Sequence, residues 1–116
     1  MERIEHEQTI VTYNAYLERI VDSMMHFCED LLESNYQDVS EVLPMIIDGM
    51  SWINEALEGY VNLGYVPAHL LNEFHQVIHG LHGALENKDY VLLYDLFEFE
   101  IIPLLKKLKI QTVETN

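Results

Sequence analysis

His75, His79, His82 and Glu86 are spaced by four, three and four residues. On an α-helix this spacing places all four side chains on one stripe. Imidazole nitrogens one turn apart can grip a divalent ion, and a carboxylate can add an oxygen ligand, so the stripe suits a borderline metal such as zinc. The same positions also suit the rim of a helical bundle, where His side chains pack by their edges and stay half solvated. No HExxH motif and no paired ExxH pattern accompanies them. Neither a metalloprotease nor a di-iron carboxylate centre is therefore indicated.

Three other groups bear on chemistry. Asp22, His26, Glu29 and Glu33 form a polar stripe that reads as a solvated helix face, with His26 in reach of Asp22 or Asp30 one turn away. Asp95 and Glu98 share a side of an otherwise apolar segment. Paired carboxylates near apolar surface can act as acid and base, but here a bundle rim is the simpler reading. Cys28 has no neighbouring cation to stabilise a thiolate, so it reads as a small buried apolar residue. There is no glycine-rich phosphate loop, no Ser/His/Asp pattern and no CxxC.

The elements that position these groups are set by hydrophobic spacing. Apolar residues recur at three and four in four stretches: from Ile10 to Leu31, Val39 to Tyr60, Leu71 to Leu85, and Tyr90 to Leu108. Each set lies on one helix face. The chain reads as four amphipathic helices over about residues 5–33, 40–62, 67–86 and 90–109, joined by short connections that force neighbours antiparallel. The expected fold is an all-α, up-down-up-down four-helix bundle forming a single domain.

Local punctuation agrees. Ser34-Asn35 supplies stop chemistry, with Asn tolerant of the left-handed conformation. Pro44 is tolerated near a first turn, so the second regular helix is expected to begin close to it. Gly64 is a natural left-handed terminator, Pro67 opens the third helix, and Asp89 can cap the fourth. Pro103 lies inside the fourth helix and predicts a kink. The start of the first helix, the longest, is expected to project beyond the bundle, and residues 111–116 to form a frayed tail.

Twenty carboxylates against six Lys and Arg give a formal net charge of −14. Such a surface repels polyanions, which argues against nucleic acid and anionic membranes as partners. No apolar run approaches the roughly 18 residues of a membrane span. The charged first residues lack the apolar stretch of a signal peptide, and one cysteine cannot form an intrachain disulfide, so a cytoplasmic location is expected.

The fourth helix carries a further clue. Leu92, Leu96 and Phe99 lie opposite its core stripe, with Val91 and Ile102 between. A helix apolar nearly all round is central or sits at a subunit contact, and a four-helix monomer has no central helix. This predicts a homodimer joined through Leu92, Leu96 and Phe99. Trp52, with Met45, forms a second apolar spot suited to anchoring a partner.

Residues 86–105, ENKDYVLLYDLFEFEIIPLL, resemble the C-terminal stretch of small acidic helical proteins from Bacillus-type bacteria, with an echo in residues 47–52, IDGMSW. The resemblance covers about a fifth of the chain and implies a bacterial, cytoplasmic, helical protein with no catalytic residues carried over. The reading is of a non-enzymatic interaction module, an adaptor or chaperone-like acidic bundle with an unidentified protein partner and no cofactor. The alternative is a metal-binding bundle using His75, His79, His82 and Glu86, with zinc or another divalent ion as cofactor.

Overall fold

The computed structural model describes the backbone of residues 2–111 and the side chains of residues 7–111. Its helices are α1 (Glu2–Leu32), α2 (Tyr36–Asn62), α3 (Ala68–Glu86) and α4 (residues 90–107). The fourth is composite. An α segment, Tyr90–Asp95, runs into a π-helical turn, Leu96–Ile101, and then into a second α segment, Ile102–Lys107. No strand occurs among the described residues. Helix α1 packs on α2 and α4, and α3 packs on the same two; α1 and α3 face each other diagonally, as do α2 and α4. This is an antiparallel four-helix bundle. The expected projection of the first helix's start concerns side chains outside the described residues, and so does the expected tail beyond Gln111.

All seven stripe residues of α1 are buried, from Ile10 to Leu31, and so are six of seven in α2, where Leu43 is half-buried. Helix α3 is embedded less deeply. Phe74, Leu81 and Ala84 are buried there, while Leu71, Ile78 and Leu85 are half-buried. At the centre, the Phe27 and Phe97 rings meet edge to face at 5.1 Å and those of Tyr13 and Tyr60 at 4.9 Å. Among the described residues no buried side-chain nitrogen or oxygen lacks a hydrogen-bond partner.

Three helix ends close in the same way. After α1, Ser34 takes φ 59°, and the Asn35 N–H donates to the Asp30 carbonyl at 2.9 Å. After α2, Gly64 takes φ 83°, and the Tyr65 N–H donates to Tyr60. After α3, Lys88 takes φ 49°, and the Asp89 N–H donates to Ala84. Each is a Schellman turn that satisfies carbonyls left over at a helix end. The left-handed residue after α1 is thus Ser34 and not Asn35. Asn35 bonds Asp38 instead and precedes the first turn of α2. Asp89 caps α4 as its chemistry predicts, accepting from the Leu92 N–H at 3.0 Å.

Helix α2 begins at Tyr36, well before Pro44, which lies inside it. Ser40 would have received the missing N–H of Pro44, and both residues are exposed, so water can serve the freed carbonyl. Burial of Val39 anchors the turn before the proline.

The end of α4 is latched to α1. The buried Tyr13 hydroxyl donates to the Leu108 carbonyl at 3.0 Å. Asn14 pairs with the Ile110 backbone in both directions, at 2.8 and 2.9 Å, and Lys109 forms an ion pair with Glu18.

Helix contact spacing separates the glycines. Gly49 admits the close approach of α1, since a Cβ there would lie 2.5 Å from the Tyr16 hydroxyl and 2.7 Å from the Ile20 Cδ1. Gly59 and Gly83 lie in the last turns of α2 and α3 and face open space. Gly59→Ala and Gly83→Ala should each raise stability by about 0.5–1 kcal/mol through lower backbone entropy in the unfolded chain. Gly64→Ala, at positive φ, should lower it. Urea midpoints at unchanged slope check the three variants, and no gain from either helical substitution would refute the open placement.

Candidate functional site

His75, His79 and His82 line one wall of an open cleft of about 470 Å³ between α2 and α3, opposite Ser51, Asn54 and Glu55. His75 Nε2 lies 2.9 Å from Asn54 Oδ1. Glu86 does not line this cleft. At a rise of about 1.5 Å per residue, His75 and Glu86 stand roughly 16 Å apart along one helix, so the four cannot share a single ion whose ligands sit about 2 Å away. Among the described residues no group of three or more His, Cys, Asp or Glu is arranged to hold a metal ion. His26 faces Glu29 at 3.7 Å, a different partner from Asp22 or Asp30, and both side chains are exposed.

The apolar surface of α4 is narrower than its sequence implies. Val91, Leu92 and Phe99 are exposed, at 75%, 42% and 68%. Leu96 is buried, at 7%, so it does not belong to an exposed contact face. Its side chain packs over Gly80 of α3, where a Cβ would lie 3.7 Å from Leu96 Cδ2, at ordinary van der Waals contact. Ile102 is also buried. Here the cause is the π turn, which closes with the Ile102 N–H donating to Phe97, five residues back. The wider turn sets the second half of α4 about one residue out of phase and brings Ile102 inward. It also lets the Tyr94 and Phe99 rings, five residues apart, meet at 6.4 Å.

The seam between α1 and α4 has a fixed register. Tyr13 meets Leu108 and Phe27 meets Phe97. Glu18, Asp22, Met25, Glu29 and Leu32 follow one another at four, three, four and three residues, so they share one stripe of α1. The Glu18 pairing with Lys109 places that stripe beside α4. Met25 and Leu32 are exposed on it. In the antiparallel register set by Phe27 and Phe97, Phe99 stands near the level of Met25 and Val91 near that of Leu32; all four are exposed, among the exposed acids Asp22, Glu29, Asp95 and Glu98. The second apolar spot lies elsewhere. Trp52 is partly covered by Tyr16, with ring centroids 4.6 Å apart, and Met45 stays exposed beside a neighbouring cavity of about 220 Å³.

A family model matches residues 8–111, from the early turns of α1 to just past α4. The chain belongs to the domain of unknown function family DUF8042. No curated protein and no solved structure matches it. Among the described residues no helix of this DUF8042 chain is long and apolar enough to cross a membrane.

In this DUF8042 bundle, Cys28 is buried under the π turn. Burial pushes its thiol up from an ordinary value of 9.0 to about 12, assisted by the negative charge of Glu98 and by the hydrogen bond that Glu98 accepts. This favours the neutral thiol, not a nucleophile. Sequence reasoning missed the Cys28–Glu98 pairing because it joins helices at opposite ends of the chain. The folded state holds a proton that the unfolded chain releases above pH 9, so stability should fall as pH rises past that value. Tyr13 and Tyr60, also raised by burial, add their own loss from nearer pH 10. Urea midpoints at pH 8 and pH 10 should drop further for the wild type than for Cys28→Ala. Equal drops would exclude a buried, protonated Cys28.

Proposed function

We propose that this protein is a non-enzymatic interaction module, an adaptor or chaperone-like bundle that binds another polypeptide along the α1–α4 seam. One observation carries the reading: Val91 and Phe99 project into solvent from a helix whose opposite side is already committed to the core, beside Met25 and Leu32 of α1. A helix that keeps large apolar side chains outside as well as inside is the pattern of a contact surface. Aromatic and long aliphatic side chains such as Phe99 and Met25 are the anchors such contacts use.

The homodimer expected from the sequence belongs to the same reading, since a second copy is also a polypeptide. It now rests on Val91, Leu92 and Phe99, because Leu96 and Ile102 are spent on the core.

A photo-crosslinking amino acid placed at Phe99 in cells of the source organism tests the proposal. Illumination should yield discrete polypeptide adducts from that position and none from the exposed Glu73 of α3. Adducts that are absent, or alike at both positions, would refute a docking surface on α4.

A further inference from the structure

We infer that the α1–α4 seam takes a cationic amphipathic helix, a deepening that rests on the interaction reading above. The argument has two parts, shape and charge.

Shape sets the form of the occupant. Met25 and Leu32 are seven residues apart on α1, and Val91 and Phe99 are eight apart on α4. At helical rise each pair spans about 11 Å, or two turns. The helices run antiparallel in a fixed register, with Tyr13 against Leu108 and Phe27 against Phe97. The exposed side chains therefore form two short parallel rows. A helix laid along them presents apolar residues at i, i+3 or i+4, and i+7, the spacing that two rows of this length accept.

Charge sets the chemistry of the occupant. Between the apolar rows and around them stand Asp22, Glu29, Asp95 and Glu98, all exposed. The chain has no Lys or Arg from residue 20 to 87, nor from 89 to 105. Helices α2 and α3 and the exposed part of the seam thus carry no fixed cation. Lys88 stands just before α4, at the Val91 end, and Lys109, at the far end, is engaged with Glu18. A second copy of this chain would bring the same acids against these acids, at a net charge of −14 on each molecule. A helix with Lys or Arg flanking its apolar stripe meets each carboxylate with an opposite charge while its apolar face covers Phe99 and Met25.

The test uses the full chain and a labelled synthetic peptide of about five helical turns, with Leu at helical spacing and Lys elsewhere. Two control peptides separate the contributions. One has the same Leu and Lys in scrambled order, and one has Gln in place of Lys. Binding is read by fluorescence anisotropy at physiological salt. The patterned Leu/Lys peptide should bind roughly tenfold tighter than either control. The variant Val91→Ser/Phe99→Ser, unchanged in charge, should lose that preference, whereas Met45→Ser should keep it. Circular dichroism of each variant checks that the bundle is intact.

Equal binding of the scrambled peptide, or a preference that survives Val91→Ser/Phe99→Ser, would overturn the assignment. A Leu/Gln peptide that binds as tightly and is lost in the double variant would overturn the cationic occupant while leaving the interaction surface standing. Wild-type dimers dissociated by Phe99→Ser in light scattering would give the surface to a second copy, and would also overturn it. Failure of all three peptides, together with no adduct from position 99, would remove the interaction reading itself.

Discussion

Pro103 has no N–H to give, and the shape of the fourth helix follows from that. In a regular helix the ring would also crowd the carbonyl of Phe99, four residues back. The chain instead widens into a π turn over Leu96–Ile101, whose last bond runs from Ile102 to Phe97. The extra residue in that turn rephases everything after it. Ile101, Ile102, Leu104, Leu105 and Leu108 are all buried. Phe99 is left outside, and Glu98 is brought to the thiol of Cys28. Both the composition of the core and the residues left on the surface therefore depend on one missing hydrogen-bond donor.

The latch at the other end of the seam makes this geometry definite. Tyr13 satisfies the Leu108 carbonyl, and Asn14 satisfies both backbone groups of Ile110, so the chain leaving α4 is held by α1 side chains at a point where helical bonding has ended. A buried carbonyl without a donor would cost on the order of 1–3 kcal/mol. Helix α4 is thus tied at both ends, by the Asp89 cap at its start and by this latch at its finish. A surface on a helix so tied is preorganised, and preorganisation lowers what a partner must offset on binding.

Local rules made the helices legible in the sequence. The three-and-four spacing located the core stripes of α1 and α2 almost residue by residue, and Gly64 and Asp89 took the roles their backbone chemistry predicts. What was not legible involved a second helix or a water molecule. Leu96 looked like surface because nothing local reveals that Gly80 lies across from it. A period of about 3.6 puts Ile102 between the two sides of the helix, and only the π turn before it brings it inward. Pro44 looked like a boundary because the exposure of Ser40, which makes its loss of a hydrogen bond tolerable, is a property of the packed bundle. The His stripe was located correctly along α3, but the distance it spans removes Glu86 from any common ligand set.

The acidic balance and the apolar seam are best understood together. An exposed row of Met, Leu, Val and Phe is a liability for any protein that meets copies of itself. Here each apolar residue of the seam has a carboxylate within a turn, and no fixed cation lies between them to pair with a neighbour's acids. Like charge on two approaching copies opposes self-association over a distance of about 8–10 Å at physiological salt, which is longer than the reach of apolar contact. The repulsion vanishes for a partner of opposite sign and becomes steering. One arrangement of charge thus performs two tasks. On the proposed reading, it opposes close approach of two copies and favours a polypeptide of opposite charge at Phe99.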